Sequence, residues 1–173
     1  MGEKHKLNVE ILFIGIRQLT ETCEWEKGET LLKKCWNAIV KIKKEKGYEG
    51  YRYHQIASAF YFNKKDWKNS MKNANTVKEL AFSIYGKESV EHAEAYQEMG
   101  KIFMELKNMK DCITHLEEAY NIKKTMLERI ELNPSRTGLP ESDIPDLIHR
   151  IKVSIGHSLS IKALYSYRNE QYD

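Results

Sequence analysis

A period of 42 residues constrains this chain more than any other feature of it. In the stretch EAYQEMGKIFMELKNMKDCITHLEEAY (94–120), small residues at Gly100, Cys112 and Ala119 alternate with large ones at Phe103, Met109 and Leu116. Moving back 42 positions gives Ser58, Ser70 and Val77 for the first set and Tyr61, Trp67 and Ala74 for the second. A second step back gives Ile16, Gly28 and Cys35, then Leu19, Trp25 and Leu32. Gln55 and Gln97 also share a slot. Small mostly replaces small and large mostly replaces large, and two successive matches at one period mark stacked helical repeats.

Each unit of the period reads as two amphipathic helices. Met99, Phe103 and Leu106 recur at spacings of 3 and 4, as do Cys112, Leu116, Ala119 and Lys123 with its apolar stem. The gap LKNMKD leaves room only for a tight turn, with Asn108 as N-cap and Asp111 in the first turn, where its charge suits the helix dipole. The product is an antiparallel hairpin in which small residues let the helices approach and large ones fill the space between. The pattern predicts helices over 7–23, 28–46, 51–64, 66–85, 89–107, 109–131 and 143–169. Gly47, Gly50, Gly86 and Gly138 punctuate the connections, and Ser89 and Asp143 are N-cap candidates. All three prolines, Pro134, Pro140 and Pro145, fall in ELNPSRTGLPESDIP, the longest irregular segment. The fold class is all-α in a single domain, 1–173: a degenerate repeat 1 at 7–46, repeat 2 at 51–86, repeat 3 at 89–131, a loop at 132–142 and a long capping helix at 143–170.

Composition narrows the partners. A chain of 173 residues, 41% of them hydrophobic, buries a sizeable core. The formal charge of +3, from 28 basic and 25 acidic residues, describes a mixed surface and gives no support for nucleic acid. Cys23, Cys35 and Cys112 are odd in number and sit in helical runs, so they read as reduced packing residues in an intracellular protein, cytoplasmic or nuclear. The opening MGEKHKLNVEILFIGI resembles a signal peptide, but Glu10 interrupts it and no small-x-small cleavage site follows. Lys6 stands where an N-myristoylation motif needs Ser or Thr. No run reaches the roughly 18 apolar residues of a transmembrane helix, which argues against a membrane.

No motif for catalysis or for a cofactor is present: the sequence lacks G-x-S-x-G, P-loop and Rossmann patterns. His149 and His157 share a helical face but have no third ligand at metal spacing, and no metal or cofactor is expected. His92 reads as part of a solvated helix start, and the adjacent Glu117 and Glu118 as solvent-facing. Lys34, Lys41, Lys44, Lys68 and Lys72 lie opposite the apolar stripes of their helices and form a basic convex face, solvated by default, with an acidic partner or a membrane surface as the alternatives. Tyr48, Tyr51 and Tyr53, gathered in KGYEGYRYHQ, read as packing between repeats or as a binding cluster.

Tyr96, Met99, Gly100, Phe103, Cys112, Leu116 and Ala119 stand where the tetratricopeptide repeat has its characteristic residues, so the chain resembles that family, with a period longer than the usual one of about 34. The longer period, with LAFSIYGKESVEHAEAYQEMGKIF joining two repeats, is similar to kinesin light chain repeats. It is more similar still to the tetratricopeptide-like C-terminal domain of SET-and-MYND lysine methyltransferases, although no SET, MYND or methyl-donor segment accompanies it. The resemblance implies a right-handed superhelix of hairpins whose first helices line a concave groove. It carries the groove slots onto Phe13, Arg17 and Thr20, onto Gln55, Ala59 and Phe62, and onto Gln97, Lys101 and Met104. It therefore implies a noncatalytic module, an adaptor or assembly factor, that binds a protein or peptide segment. The Lys/Asn clamp that some members use for a C-terminal carboxylate is absent, with Gln55 and Ala59 in its place. Two alternatives stay open: a detached C-terminal lobe of a SET-and-MYND enzyme, and a structural subunit of a large assembly. The closing RNEQYD resembles a turn between paired helices, so an apolar end is expected to face another domain or a second copy.

Overall fold

A computed structural model describes residues 2–133 and 140–170, and among them the regular structure is entirely helical. Seven α-helices follow one another: α1 (Gly2–Glu21), α2 (Trp25–Lys41), α3 (Tyr48–Asn63), α4 (Trp67–Tyr85), α5 (Val90–Glu105), α6 (Met109–Leu132) and α7 (Ile144–Glu170). All seven expected helices are present, and the fold is an all-α helical repeat. Pro134 and Gly138, assigned from sequence to the loop at 132–142, lie outside the described residues. Two expected boundaries move by five residues: α1 starts at Gly2 rather than at 7, and α2 stops at Lys41 rather than at 46, because Lys43 turns left-handed with φ 55° and the chain leaves the helix axis.

The 42-residue period extends to the backbone of the turns. Cys23, Lys65 and Lys107, each 42 apart, adopt φ of 58°, 63° and 56°. The next amide in each case, Glu24, Asp66 and Asn108, donates back to Leu19, Tyr61 and Phe103 at 2.9 Å. The left-handed residues donate to Thr20, Phe62 and Met104 at 3.2, 3.0 and 3.1 Å. This paired pattern closes the first helix of every hairpin in the same way. The second helix then starts at once, because Asp66 accepts from the Asn69 amide and Asn108 from the Asp111 amide, at 3.1 and 3.3 Å. Asn108 and Ser89 are the N-caps their sequence positions suggested.

Contacts divide the chain into two compact units, Met1–Ile84 and Tyr85–Asp173. In the first, α1 pairs with α2 and α3 packs on both. Val9, Phe13, Ile16, Leu32, Cys35, Ile39 and Phe60 fill the interior. The small slots of α3 and α4 meet through reciprocal bonds: Ser58 Oγ donates to the Ser70 carbonyl at 3.1 Å and Ser70 Oγ to the Ser58 carbonyl at 3.0 Å. In the first hairpin Ile16 replaces the small residue, and Gly28 opens space that the Phe60 ring of α3 fills. On the opposite side of α1, Leu7, Ile11 and Ile14 are exposed.

In the second unit α5 pairs with α6, and α7 packs on both, as α3 does on α1 and α2. A Cβ added to Gly100 would meet Leu116 Cδ2 at 3.0 Å, so the glycine sets the α5–α6 spacing. Ile130, Ile144 and Ile151 join α6 to α7.

Gly28→Ala would place a Cβ 2.2 Å from Phe60 Cε2, so a loss of about 1–3 kcal/mol in urea unfolding is expected. Gly156→Ala, helical and with nothing within 4 Å, should instead gain about 0.5–1 kcal/mol. Equal effects at the two positions would remove the close-approach account.

Candidate interaction surfaces

In the first unit α1 and α3 are neighbours, and five of the six groove slots implied there by the resemblance reach solvent. Arg17 and Ala59 are exposed, and Thr20, Gln55 and Phe62 are half-buried. Local bonds hold several of them. Thr20 Oγ1 donates to the Ile16 carbonyl at 2.8 Å, Gln55 Nε2 donates to the buried Tyr51 hydroxyl at 2.8 Å, and Phe62 meets the edge of Trp67 at 5.3 Å. Phe13 is fully buried, so it belongs to the core rather than to a surface. The Arg52 guanidinium covers its ring at 5.0 Å and binds both Glu10 carboxylate oxygens at 2.6 and 2.8 Å. Glu10 and Arg52 are 42 residues apart and occupy one slot on successive first helices. Opposite charges one period apart were thus a legible signal of that contact.

In the second unit Lys101 pairs with Glu98 at 2.5 Å and Met104 is half-buried. Gln97 is only 7% exposed and faces inward. Its Oε1 accepts from Lys123 Nζ at 2.6 Å, and the same ammonium reaches the Ser154 carbonyl at 3.3 Å, so one buried lysine ties α5, α6 and α7 together. Lys123 has no exposure, and burial lowers its pKa to about 8, with the Glu94 carboxylate pulling the other way. The sequence had placed Lys123 on the apolar stripe by its stem. That the charged head follows the stem inside depends on α7, which supplies the Ser154 carbonyl.

The five lysines of the basic face, Lys34, Lys41, Lys44, Lys68 and Lys72, are all exposed, but Lys44 lies beyond the end of α2 instead of on its outer side, because the helix stops at Lys41. On another side of α2 Trp36 packs against Tyr53 at 4.9 Å and His54 at 5.1 Å, and His54 Nδ1 lies 2.8 Å from Asn73 Oδ1 of α4. Burial, with Lys72 nearby, lowers the His54 pKa. The tyrosine cluster splits: Tyr51 is buried, Tyr53 stacks on Trp36, and Tyr48 is exposed beneath Arg52. His92 is not solvated as expected. It is buried, with Nδ1 2.7 Å from the Lys87 carbonyl. Of the histidine pair on α7, His149 is exposed and the side chain of His157 lies outside the described residues.

All three cysteines are free, with Cys23 exposed and Cys35 and Cys112 buried. Burial, with help from the Glu10 carboxylate, pushes Cys35 up to about 12, which leaves the thiol unreactive near neutrality. Among the described residues no three His, Cys, Asp or Glu side chains converge in a way that could hold a metal ion. No helix among them is long and apolar enough to cross a membrane. Neither a protein-family model nor a curated protein matches the chain.

Between pH 8 and 10.5 the unfolded chain binds a proton at Lys123 that the folded chain does not, so this group by itself makes stability rise with pH there. The buried Cys35 thiol and Tyr53 hydroxyl, both raised to about 12, act in the opposite sense from about pH 9 and 10 upward, because the folded chain keeps protons that the unfolded chain loses. They do so equally in wild type and in Lys123→Met, so the difference between the two in urea titrations isolates the lysine, and wild type should gain about 2 kcal/mol on the variant between pH 8 and 10. A difference that stays constant over that range would show that the ammonium is solvated.

Proposed function

We propose that the chain is a noncatalytic tetratricopeptide-type interaction module, an adaptor or assembly factor, whose α1 and α3 present a surface to a protein segment. The observation that carries this reading is the repetition of the hairpin at 42 residues in side-chain slots, left-handed turn residues and turn hydrogen bonds alike. Repeat folds of this kind devote their buried positions to stacking and leave the outward positions of the first helices free to vary with the partner. Arg17, Gln55, Ala59 and Phe62 supply a cation, an amide, a clear space and an apolar side chain on adjacent helices. That set fits an extended or helical peptide, with polar groups fixing its position and Phe62 giving burial.

Arg17→Glu combined with Ala59→Glu changes the two exposed positions without touching the core. Proteins captured from native extract by wild-type chain should be lost with the double variant, while circular dichroism and the urea midpoint stay within about 0.5 kcal/mol of wild type. Identical capture by both forms would sink the reading.

A further inference from the structure

Charge is distributed unevenly along the chain. Residues 1–84 hold 16 Lys and Arg against 10 Asp and Glu, a formal +6, whereas residues 85–173 hold 12 against 15, a formal −3. Ion pairing sharpens the contrast. The cations Lys27, Arg52, Lys64, Lys101, Lys124 and Arg129 each have a carboxylate partner, on their own helix or on another. Lys34, Lys41, Lys44, Lys68 and Lys72 have none among the described residues.

The placement of these lysines is ordered. Lys34 and Lys41 are two turns apart on the side of α2 opposite Leu32, Cys35 and Ile39, hence separated by about 10 Å along the axis. Lys68 and Lys72 are one turn apart on α4, opposite Ser70, Ala74 and Val77. The Trp36–His54–Asn73 chain of contacts connects the two helices, and the Lys72 charge is felt at His54. Unpaired cations held on two connected helices make a positive surface that attracts and orients an anionic partner.

We infer that this lysine face is a second docking surface, for an acidic protein segment rather than for nucleic acid or a membrane. The cations are lysines, which act as point charges toward carboxylates, and α2 and α4 carry no planar guanidinium fork of the kind that matches phosphate: Arg17 is on α1, and Arg52 on α3 is held by Glu10 and Phe13. Trp36, Tyr53 and His54 pack against one another instead of offering flat faces to bases. Among the large apolar side chains of α2 only Val40 is exposed, and the exposed Phe82, Ile84 and Tyr85 of α4 lie at its far end, about 15 Å or more along the axis from Lys72, so no apolar surface accompanies the lysines into a lipid interface.

Fluorescence anisotropy with a labelled glutamate-rich peptide of about 16 residues tests the inference, with oligodeoxythymidylate of equal length and phosphatidylserine vesicles as rival ligands. Wild type should bind the peptide at about 50 mM salt and lose about tenfold or more by 200 mM. Lys34→Glu, Lys41→Glu, Lys68→Glu and Lys72→Glu together should weaken binding by about tenfold or more. A control with the same change of charge at the exposed Lys87, Lys107, Lys110 and Lys124 should stay within about threefold of wild type. Lys→Gln at the four test positions gives the same reading if the glutamate variant unfolds. No peptide binding at low salt, equal loss in both charge variants, or tighter binding of the oligonucleotide or the vesicles would each overturn the inference.

Discussion

Everything in this fold depends on how closely the two helices of a hairpin approach. Where Ser58 faces Ser70, their hydroxyls bond each other's backbone carbonyls. Where Gly100 faces α6, no room remains for a larger side chain, since Leu116 already fills the space. Buried side chains pack at crystal-like density, so the size of one residue at the crossing sets the distance between helices. That distance decides which side chains further along can meet. The first hairpin solves the same problem another way: its small residue is on the second helix, and an aromatic ring from α3 takes the vacated volume.

The turns impose the second constraint. A left-handed lysine or cysteine is less favourable than glycine by roughly 1–2 kcal/mol, yet the conformation recurs at Cys23, Lys65 and Lys107. Two hydrogen bonds back into the preceding helix offset that cost each time, and the second helix is launched at a fixed angle. Turn geometry and crossing distance together make each hairpin a repeatable unit, and a third helix then stacks on it: α3 on the first, α7 on the last.

Charges sort according to the same architecture. Where first helices stand side by side, Glu10 and Arg52 meet and seal Phe13 beneath them. Where α7 covers α5 and α6, Lys123 and Gln97 are enclosed and satisfy each other. Buried polar groups of this kind are tolerable only when paired, and the Ser154 carbonyl gives the Lys123 ammonium a second acceptor. The lysines on the outer faces of α2 and α4 meet no such covering helix and stay in water.

The sequence alone determined the helices, their pairing and their period, because each follows from local spacing: apolar positions every 3 or 4 residues, caps at the turns, and small residues at fixed intervals. The exposure of Lys34, Lys41, Lys68 and Lys72 follows from the same spacing, since a charge opposite an apolar stripe has nowhere else to go. Phe13 and Gln97 were read as surface and proved interior, and His92 was read as solvated and proved buried. The first two depend on residues distant in sequence, since Arg52 lies over Phe13, Lys123 reaches Gln97 and α7 brings Ser154 to Lys123, whereas His92 turns back to the nearby Lys87 carbonyl. Helical periodicity fixes which face of a helix a side chain occupies, but only the packing of a neighbouring helix decides whether that face is covered. For that physical reason the tertiary structure alone separated the expected groove positions that reach solvent from those already filled by the protein itself.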